Sequence, residues 1–336
     1  LIYLYKDYAN NKMTSFIQSL MKIAKRMNLL GSETAFAVSA EAAKLGATGK
    51  KIFPFRLGDI NLSTPKSVIE AAKKAINDGK TGYCAAPGIS ELREALAKDV
   101  GNSRGLSYDI DNVSVQPGGK PSIGKYIAAM MEKGDSVLYP NPGYPIYESQ
   151  IEFYKGIALP YGYVNTSDGL KLDFRAIEKG IEKGAKHIFY NNYNNPTGAS
   201  SSNEEIEKLA KLVIDNDMFL ISDDAYFDTL YDGKPKSIAS IPGMYERTLT
   251  MYTFSKKFAM TGWRLGASIG PKSIIEQINR LNVNMESCTT HFVQYAGLAG
   301  LNAPEKETQD ILDILKIRRD RLVEILNGIN GIEAHS

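Results

Sequence analysis

Through the middle of the chain, short β-branched and apolar runs alternate with longer stretches in which apolar residues recur at helical spacing. Val113 to Gln116, Ser136 to Tyr139, His187 to Tyr190, Phe219 to Ser222, Thr248 to Phe254 and Ala267 to Ile269 read as strands. Pro121 to Glu132 and Asn203 to Asp215 read as helices. In the second of these, Ile206, Leu209, Ala210 and Val213 share one face at the i, i+3, i+4, i+7 spacing. Several strands are continuously apolar, as expected where both faces of a sheet are covered. Strands alternating with helices predict an α/β domain with a mostly parallel central sheet flanked by helices. A helical pattern from Glu305 to Leu326, ending near Gly328, is expected to leave that domain and begin a smaller α+β one. The resulting division is residues 1–26 as a leader or extraneous segment and 27–76 as an N-terminal arm and start of the small domain. Residues 77–302 form the large domain and 303–336 the start of an incomplete C-terminal small domain.

The chain's 336 residues are enough for one large core and a second, smaller one. A net charge of +2 gives no electrostatic footprint for nucleic acid or an anionic membrane, and no apolar run approaches the roughly 20 residues a bilayer span requires. Cys84 and Cys288 lie far apart in sequence and make no disulfide framework, which points to a reducing, cytoplasmic setting. His187, His291 and His335 have no metal-ligand spacing, so no metal is expected. Leu1 to Arg26 carries five basic residues and one acidic, and Met27 offers a natural start. The other end, Gly331-Ile332-Glu333-Ala334-His335-Ser336, has no helix or cap signal and reads as a cut.

Four motifs share one address, each just after a strand. Gly118-Gly119-Lys120 follows the first strand, Asn195-Pro196-Thr197-Gly198 the third, Asp223-Asp224-Ala225-Tyr226 the fourth, and Lys256 the apolar run Leu249 to Tyr252. In open α/β sheets ligands bind beyond the carboxyl ends of the strands, so if these strands are parallel neighbours the motifs meet in one crevice. Taken singly, each has a plainer reading. Gly118-Gly119 suits a turn, although it opens a helix whose first N–H groups can cradle a phosphate. It matches neither the P-loop nor the dinucleotide glycine pattern. Asn-Pro-Thr-Gly suits a tight loop. Asp223 suits a helix N-cap, or a buried carboxylate in need of a charged partner. Tyr226 suits the core, and Lys256-Lys257 a solvated pair. Alternatively, a lysine just past a buried strand can form a Schiff base with an aldehyde cofactor. The hydroxyls of Thr253 and Ser255 before it, and Arg264 eight residues after it, would then hold that cofactor's phosphate.

Together these residues resemble a family. Glycine-glycine-lysine, Asn195-Pro196-Thr197-Gly198, Asp223-x-Ala225-Tyr226 and Ser255-Lys256-x-Phe258-Ala259-Met260-Thr261-Gly262-Trp263-Arg264 occur in the order and approximate spacing of the class I/II aminotransferases. Those are fold type I pyridoxal-phosphate enzymes, and the chain looks closest to the bacterial aspartate-aminotransferase-like branch. Leu57-Gly58-Asp59 before Ser63-Thr64-Pro65, Tyr83 before Pro87-Gly88, and Asn141-Pro142-Gly143-Tyr144-Pro145 agree with it. The resemblance implies transfer of an amino group between an L-amino acid and a 2-oxo acid, with aspartate or alanine and 2-oxoglutarate as the first guess. A C–S lyase, a decarboxylase and a non-catalytic cofactor-binding fragment are the alternatives.

The resemblance also implies roles. Lys256 would hold pyridoxal 5'-phosphate and move the substrate's α-proton; Lys257 competes for this role, and the spacing to Arg264 favours Lys256. Asp223 would pair with the pyridine nitrogen, Asn195 and Tyr226 would bind the phenolic oxygen, and Tyr144 would stack on the ring. Gly118, Gly119, Lys120, Thr253, Ser255 and Arg264 would hold the phosphate, joined by Tyr83 from the partner subunit of a homodimer. Gly58 and Asn195 would lie near the substrate. The family's carboxylate-gripping arginine would fall beyond Ser336, so a poorly active fragment is expected.

Overall fold

A computed structural model describes residues 23–31, 34–55, 58–167 and 169–334. Most of the leader segment, Leu57 and the terminal His335-Ser336 lie outside the described residues. Helix α1 (Thr34–Ala47) is followed by α2 (Lys66–Asn77) and α3 (Ser90–Arg104). Strand β1 (Val113–Gln116), α4 (Lys120–Met130), β2 (Ser136–Pro140), α5 (Ile146–Phe153) and β3 (Ile157–Tyr161) come next. A hairpin of β4 (Tyr163–Thr166) and β5 (Gly169–Leu172) precedes α6 (Phe174–Glu182), β6 (Ala185–Tyr190), α7 (Asn203–Asp215) and β7 (Phe219–Asp223). The rest is β8 (Thr248–Thr253), β9 (Gly266–Ile269), α8 (Lys272–Met285), α9 (His291–Asn302) and α10 (Lys306–Asn327).

Seven strands form one sheet in the order β1-β9-β8-β7-β6-β2-β3. All run parallel except β9, which pairs antiparallel with both β1 and β8. The six strands read from the sequence are therefore present, with ends shifted by one or two residues. They are not all parallel neighbours, because β9 separates β1 from β8. The intervening strand does not scatter the motifs. β1 still runs in the direction of β8, and an antiparallel β9 is entered from the sheet end at which β8 finishes. The β8–β9 loop, carrying both Lys256 and Arg264, thus lies at the same end as the loops after β1, β6 and β7.

Alternate residues of the buried strands serve opposite faces, as the two-residue strand period requires. On one face Tyr252 of β8 packs with β1, β9, α2, α3 and α9 through Val115, Ala267, Val68, Leu92 and Ala296. Met251 and Leu249 join α4, α5 and α8 on the other through Ile123, Ile151 and Ile275. Helix α2, assigned by sequence to the N-terminal arm, thus buries Val68 and Ala72 in the same cluster as α3 and α9. Helix α7 starts where its capping box dictates, with Ser202 accepting from Glu205 N and the Glu205 side chain accepting from Ser202 N. Helix α10 is mostly exposed and buries Ile311 alone among its residues. The sequence reading lacked β3 and the β4–β5 hairpin. β3 is an edge strand with Pro160 in it and one buried position, so it has neither a full apolar run nor a clean alternation. Among the described residues no helix is long and apolar enough to cross a membrane, and no histidine, cysteine or carboxylate cluster could hold a metal ion.

Candidate active site

Where β1, β6, β7 and β8 end, their loops enclose a cavity of about 480 Å³. Its floor is Asp223, the last residue of β7 and 5% exposed. Tyr147 Oη donates to Asp223 Oδ2 at 2.5 Å, and Ala225 N donates to Oδ1 at 3.2 Å. Burial pushes the Asp223 carboxyl up to about 6 in spite of these two donors, and the neighbouring Asp224 adds to the rise. Among the described residues no cation lies within ion-pair distance of it. The carboxylate is dissolved by hydrogen bonds yet lacks a counter-charge, and it faces the cavity.

The chain leaves β8 at Thr253 and turns through residues 254–260. The turn sends adjacent lysines in opposite directions. Lys256 lines the cavity, where its Nζ donates to Gly58 O at 2.5 Å and stands 5.7 Å from the centroid of the Tyr226 ring. Burial lowers its pKa; Asp59 opposes the shift and Arg264 reinforces it. Lys257 lines a separate cavity, with Nζ 3.9 Å from Asp99 Oδ2. Residues 58–64 fold over this loop: Thr261 Oγ1 donates to Asp59 Oδ1 at 2.5 Å, and Thr64 Oγ1 donates to Ala259 O at 2.8 Å.

The opposite end of the cavity is cationic and glycine-lined. Gly118 has φ +99°, and a Cβ there would stand 2.2 Å from Arg264 Nη2, so only glycine lets the guanidinium lie against the turn. Gly119 forms the N-cap of α4 with no side-chain cap, leaving the positive end of that helix directed at the cavity. Arg264 Nη1 donates to Thr261 O at 2.9 Å. Thr253 Oγ1 donates to Ser255 Oγ at 2.9 Å and accepts from Ser255 N at 3.2 Å. Lys120 and Tyr144 complete the wall, with Lys120 Nζ 5.7 Å from the Tyr144 ring centroid. Asn195 and Tyr226 line the cavity between the two ends, and burial pushes the Tyr226 hydroxyl up to about 12.

Of the residues singled out by sequence, Gly58, Gly119, Lys120, Tyr144, Asn195, Asp223, Tyr226, Thr253, Ser255, Lys256 and Arg264 line this one cavity. Gly118 lies behind Arg264, and Tyr83 is 87% exposed and apart from it. Asn191 and Tyr147 were missed. Asn191 accepts from Asn195 N at 2.9 Å through Oδ1 and donates to Asp223 O at 2.9 Å through Nδ2, tying the β6 loop to the end of β7. It sits one residue beyond β6, at the address that exposed the other motifs. Tyr147 lies in the first turn of α5, two residues after the cap Pro145, and its ring meets that of Tyr144, just ahead of the helix, edge to face at 5.7 Å.

The family model described as aminotransferase class I and II matches residues 50–335. The chain is 32% identical over 287 residues to a probable aspartate/prephenate aminotransferase of Aquifex aeolicus, covering 85% of this chain and 73% of that protein. It is 29% identical over 295 residues to the aspartate aminotransferase of Geobacillus stearothermophilus, covering 87% and 74%. The fold superposes on an alanine aminotransferase from Pyrococcus furiosus with a TM-score of 0.86 at 29% identity, covering 94% of this chain and 81% of that one. The aspartate aminotransferase of Rhizobium meliloti gives a TM-score of 0.88 at 29% identity, covering 94% and 79%.

Proposed function

The chain belongs to the class I and II aminotransferases, enzymes that move an amino group between an amino acid and a 2-oxo acid, and we propose that it does so with pyridoxal 5'-phosphate held in the cavity above Asp223. One observation carries the reading. A buried carboxylate without a cation, a depressed lysine and a guanidinium against a glycine turn face one another across a single space. Among the described residues neither Asp223 nor Arg264 has an ion-pair partner, and the ring nitrogen and phosphate of that cofactor would supply one to each, while its aldehyde would take up the Lys256 amine. The donor set therefore fits the group. Bound there, pyridoxal phosphate supplies a cationic ring that accepts the electron pair left when the substrate's α-proton departs.

The chain's own groups divide the remaining work. Asp223 gives the ring nitrogen an anion, and Tyr147 and Ala225 N keep that anion oriented. Gly119, Lys120, Thr253, Ser255 and Arg264 would hold the phosphate through backbone N–H groups, hydroxyls and a charge-assisted contact, while Gly118 leaves room for the guanidinium behind it. Asn195 and Tyr226 donate to the phenolic oxygen, and Tyr144 covers the ring face. Lys256 would attach the cofactor and serve as the base for the substrate's α-proton, and its lowered pKa increases the fraction of neutral amine available for both. Gly58 O, which accepts from Lys256 Nζ, holds the amine on the substrate side.

We also assign the donor as aspartate or alanine, with 2-oxoglutarate as acceptor, on the strength of the similar aspartate and alanine aminotransferases. A homodimer accounts for the surface. Val38, Phe53, Phe55 and Tyr83 are exposed, Phe55 at 85%, and a second copy would cover them while bringing its Tyr83 to the phosphate. The thiols of Cys84 and Cys288 are free, in keeping with a reducing compartment, and we assign the protein to the cytoplasm. Borohydride reduction of the cofactor-loaded protein, followed by peptide mapping, tests the reading. Label on Lys256, with formation of a 2-oxo acid and the pyridoxamine form from an amino donor, supports it. Label on Lys257, or release of the donor's carboxyl or side chain in place of a 2-oxo acid, refutes it.

A further inference from the structure

Directly behind the cavity floor lies a cluster of paired charges in which one arginine serves two carboxylates. Arg104, the last residue of α3, is 3% exposed. Its Nε donates to Asp224 Oδ2 at 2.8 Å, and Nη1 and Nη2 reach the two oxygens of Asp228 at 3.5 and 3.3 Å. The guanidinium carbon also stands 3.9 Å from the Phe227 ring centroid. Nη1 also donates to Ser103 Oγ at 2.8 Å, and the partners outside its own helix include residues 224, 227 and 228, which bracket Tyr226 and begin immediately after Asp223. Asp224 is fixed from a second side, accepting from Ser222 Oγ at 2.6 Å while its N–H donates to Met251 O at 3.1 Å. Five residues earlier on the same helix, Asp99 faces Lys257, the neighbour of Lys256. One helix thus grips both functional segments, each at a residue adjacent to the one that faces the cavity.

We propose that Arg104 is a positioning residue for amino transfer, holding the 223–228 segment so that Asp223 and Tyr226 meet the cofactor in register with Lys256. The proposal rests on the cofactor assignment above. A buried arginine held by two carboxylates is a poor device for stability alone, because apolar replacements of similar volume often fold as well or better. What the arrangement supplies is a rigid fork with two anchor points, which a lysine or a hydrophobic side chain cannot reproduce. Misplacement of a reacting group by about 1 Å can cost about 100-fold in rate, so small slack in this segment is enough to matter. Arg104 also balances Asp224. Burial lowers the arginine's pKa, but Asp224 and Asp228 together outweigh burial and hold it charged, and without it Asp224 would stand as an uncompensated anion beside Asp223.

The test compares the parental protein with Arg104→Lys and with the charge-neutral triple variant Arg104→Met, Asp224→Asn, Asp228→Asn. Three quantities are read: the melting temperature, the dissociation constant for pyridoxal phosphate, and kcat and KM for an amino donor. The triple variant is expected to melt within a few degrees of the parent, to bind cofactor about tenfold more weakly and to lose kcat about 10- to 100-fold, with KM changed less than about threefold. Arg104→Lys is expected to keep the parent's melting temperature but to lose cofactor affinity and kcat as the triple variant does. A folded triple variant that matches the parent in both, or a lysine variant that keeps both, overturns the proposal. Should the triple variant not fold, Asp228→Asn decides, since it leaves the Arg104–Asp224 bond in place. A threefold or larger rise in the dissociation constant at unchanged melting temperature supports the proposal, and an unchanged constant overturns it. A parental protein that binds no pyridoxal phosphate brings down the cofactor assignment together with the proposal, an outcome distinct from variants that match a binding-competent parent.

Discussion

Lys256 and Lys257 share a peptide bond but serve two cavities of similar size, about 480 and 530 Å³. The chemistry of the two spaces differs. Around Lys256 the charged groups Asp223 and Arg264 make no ion pair among the described residues, and burial shifts Asp223 and Lys256 towards neutrality. Around Lys257 each cation lies against an opposite charge, Lys257 3.9 Å from Asp99 and Arg104 beside Asp224 and Asp228, although burial raises the Asp99 and Asp224 carboxyls as well. Burying an unmatched charge is costly, so a fold keeps such groups where a ligand supplies the missing partner. Matched charges of the second kind fix geometry and need no ligand. The comparison explains how two identical side chains in sequence acquire opposite duties: the turn after β8 directs one towards vacant charges and the other towards satisfied ones.

Exchanging the duties of the two lysines is the most direct way to break this comparison, and it carries the largest expected effect. Lys256→Ala should lose amino transfer by about 10⁴-fold or more, because both attachment and proton transfer fail. Lys257→Ala should cost less than about tenfold, the loss of one partly screened contact to Asp99. Steady-state rates and borohydride labelling of each variant decide the matter. A larger loss in Lys257→Ala than in Lys256→Ala would show that the lysines had been assigned to the wrong sides, and equal losses that their duties are not divided.

The aspartate pair sharpens the contrast through pH. Asp223→Asn should lose about 10³-fold in turnover, since the ring nitrogen loses its anion. The same change should stabilise the cofactor-free protein. With a folded-state pKa raised from 3.8 to about 6, the ionised carboxylate penalises folding by about 3 kcal/mol above pH 6. The penalty shrinks as pH falls through 6 and vanishes below about 4, where the unfolded chain is protonated as well. An amide returns about 1 kcal/mol of the gain, because it cannot accept from both Tyr147 and Ala225 N. A higher melting temperature at pH 8 that falls to slightly below the parent's near pH 4 is the expected result. Asp224→Asn should do the reverse and destabilise at pH 8, because it leaves Arg104 under-paired.

A smaller effect is expected at the phosphate end. Arg264→Gln should weaken binding of pyridoxal phosphate about 10- to 100-fold, the range for one charge-assisted hydrogen bond. Gly118→Ala should weaken it comparably by a different route, as its Cβ would displace the guanidinium from 2.2 Å and occupy a backbone conformation with φ +99°. Equilibrium titration of the cofactor-free protein measures both, and a double variant no weaker than either single one would show that they act on the same contact.

How much of this was legible in the sequence depended on whether a residue acts through its neighbours in the chain or through space. The strands with two covered faces announced themselves as continuous apolar runs, and the motifs at their ends followed from the topology of parallel sheets. β3 did not, because an edge strand has little to bury. The strand at Ala267 to Ile269 was legible, but its antiparallel direction between β1 and β8 was not, since an apolar run reads alike in either direction. Lys256 was distinguishable from Lys257 only by its spacing to Arg264, whereas the turn separates them in space. Asn191 was hidden in the polar run Asn191-Asn192-Tyr193-Asn194-Asn195, where composition does not reveal which amide bridges two loops. Arg104 was invisible for a stronger reason. Its partners Asp224 and Asp228 are 120 and 124 residues away, and a helix-terminal arginine ordinarily reads as a solvated side chain.

Tyr83 extends the contrast beyond a single chain and carries the smallest effect. It is 87% exposed and lines neither cavity, so within one copy it has no duty to either lysine. If a second copy places this hydroxyl on the phosphate, Tyr83→Phe should weaken cofactor binding by about three- to tenfold, the worth of one hydrogen bond to a charged acceptor offset by solvent access. Stability should scarcely change, because the ring remains. The same geometry predicts a dependence on protein concentration: dilution into monomers should weaken binding in the parent and leave the Tyr83→Phe variant with a smaller change. Co-expression of differently tagged Tyr83→Phe and Lys256→Ala chains isolates the effect. Each mixed dimer then has one site with an intact lysine and an intact tyrosine from the other chain, and that site should bind cofactor with parental affinity. Cofactor affinity in the mixed dimer no better than in the Tyr83→Phe homodimer would mean that the tyrosine acts within its own chain, or on nothing at all.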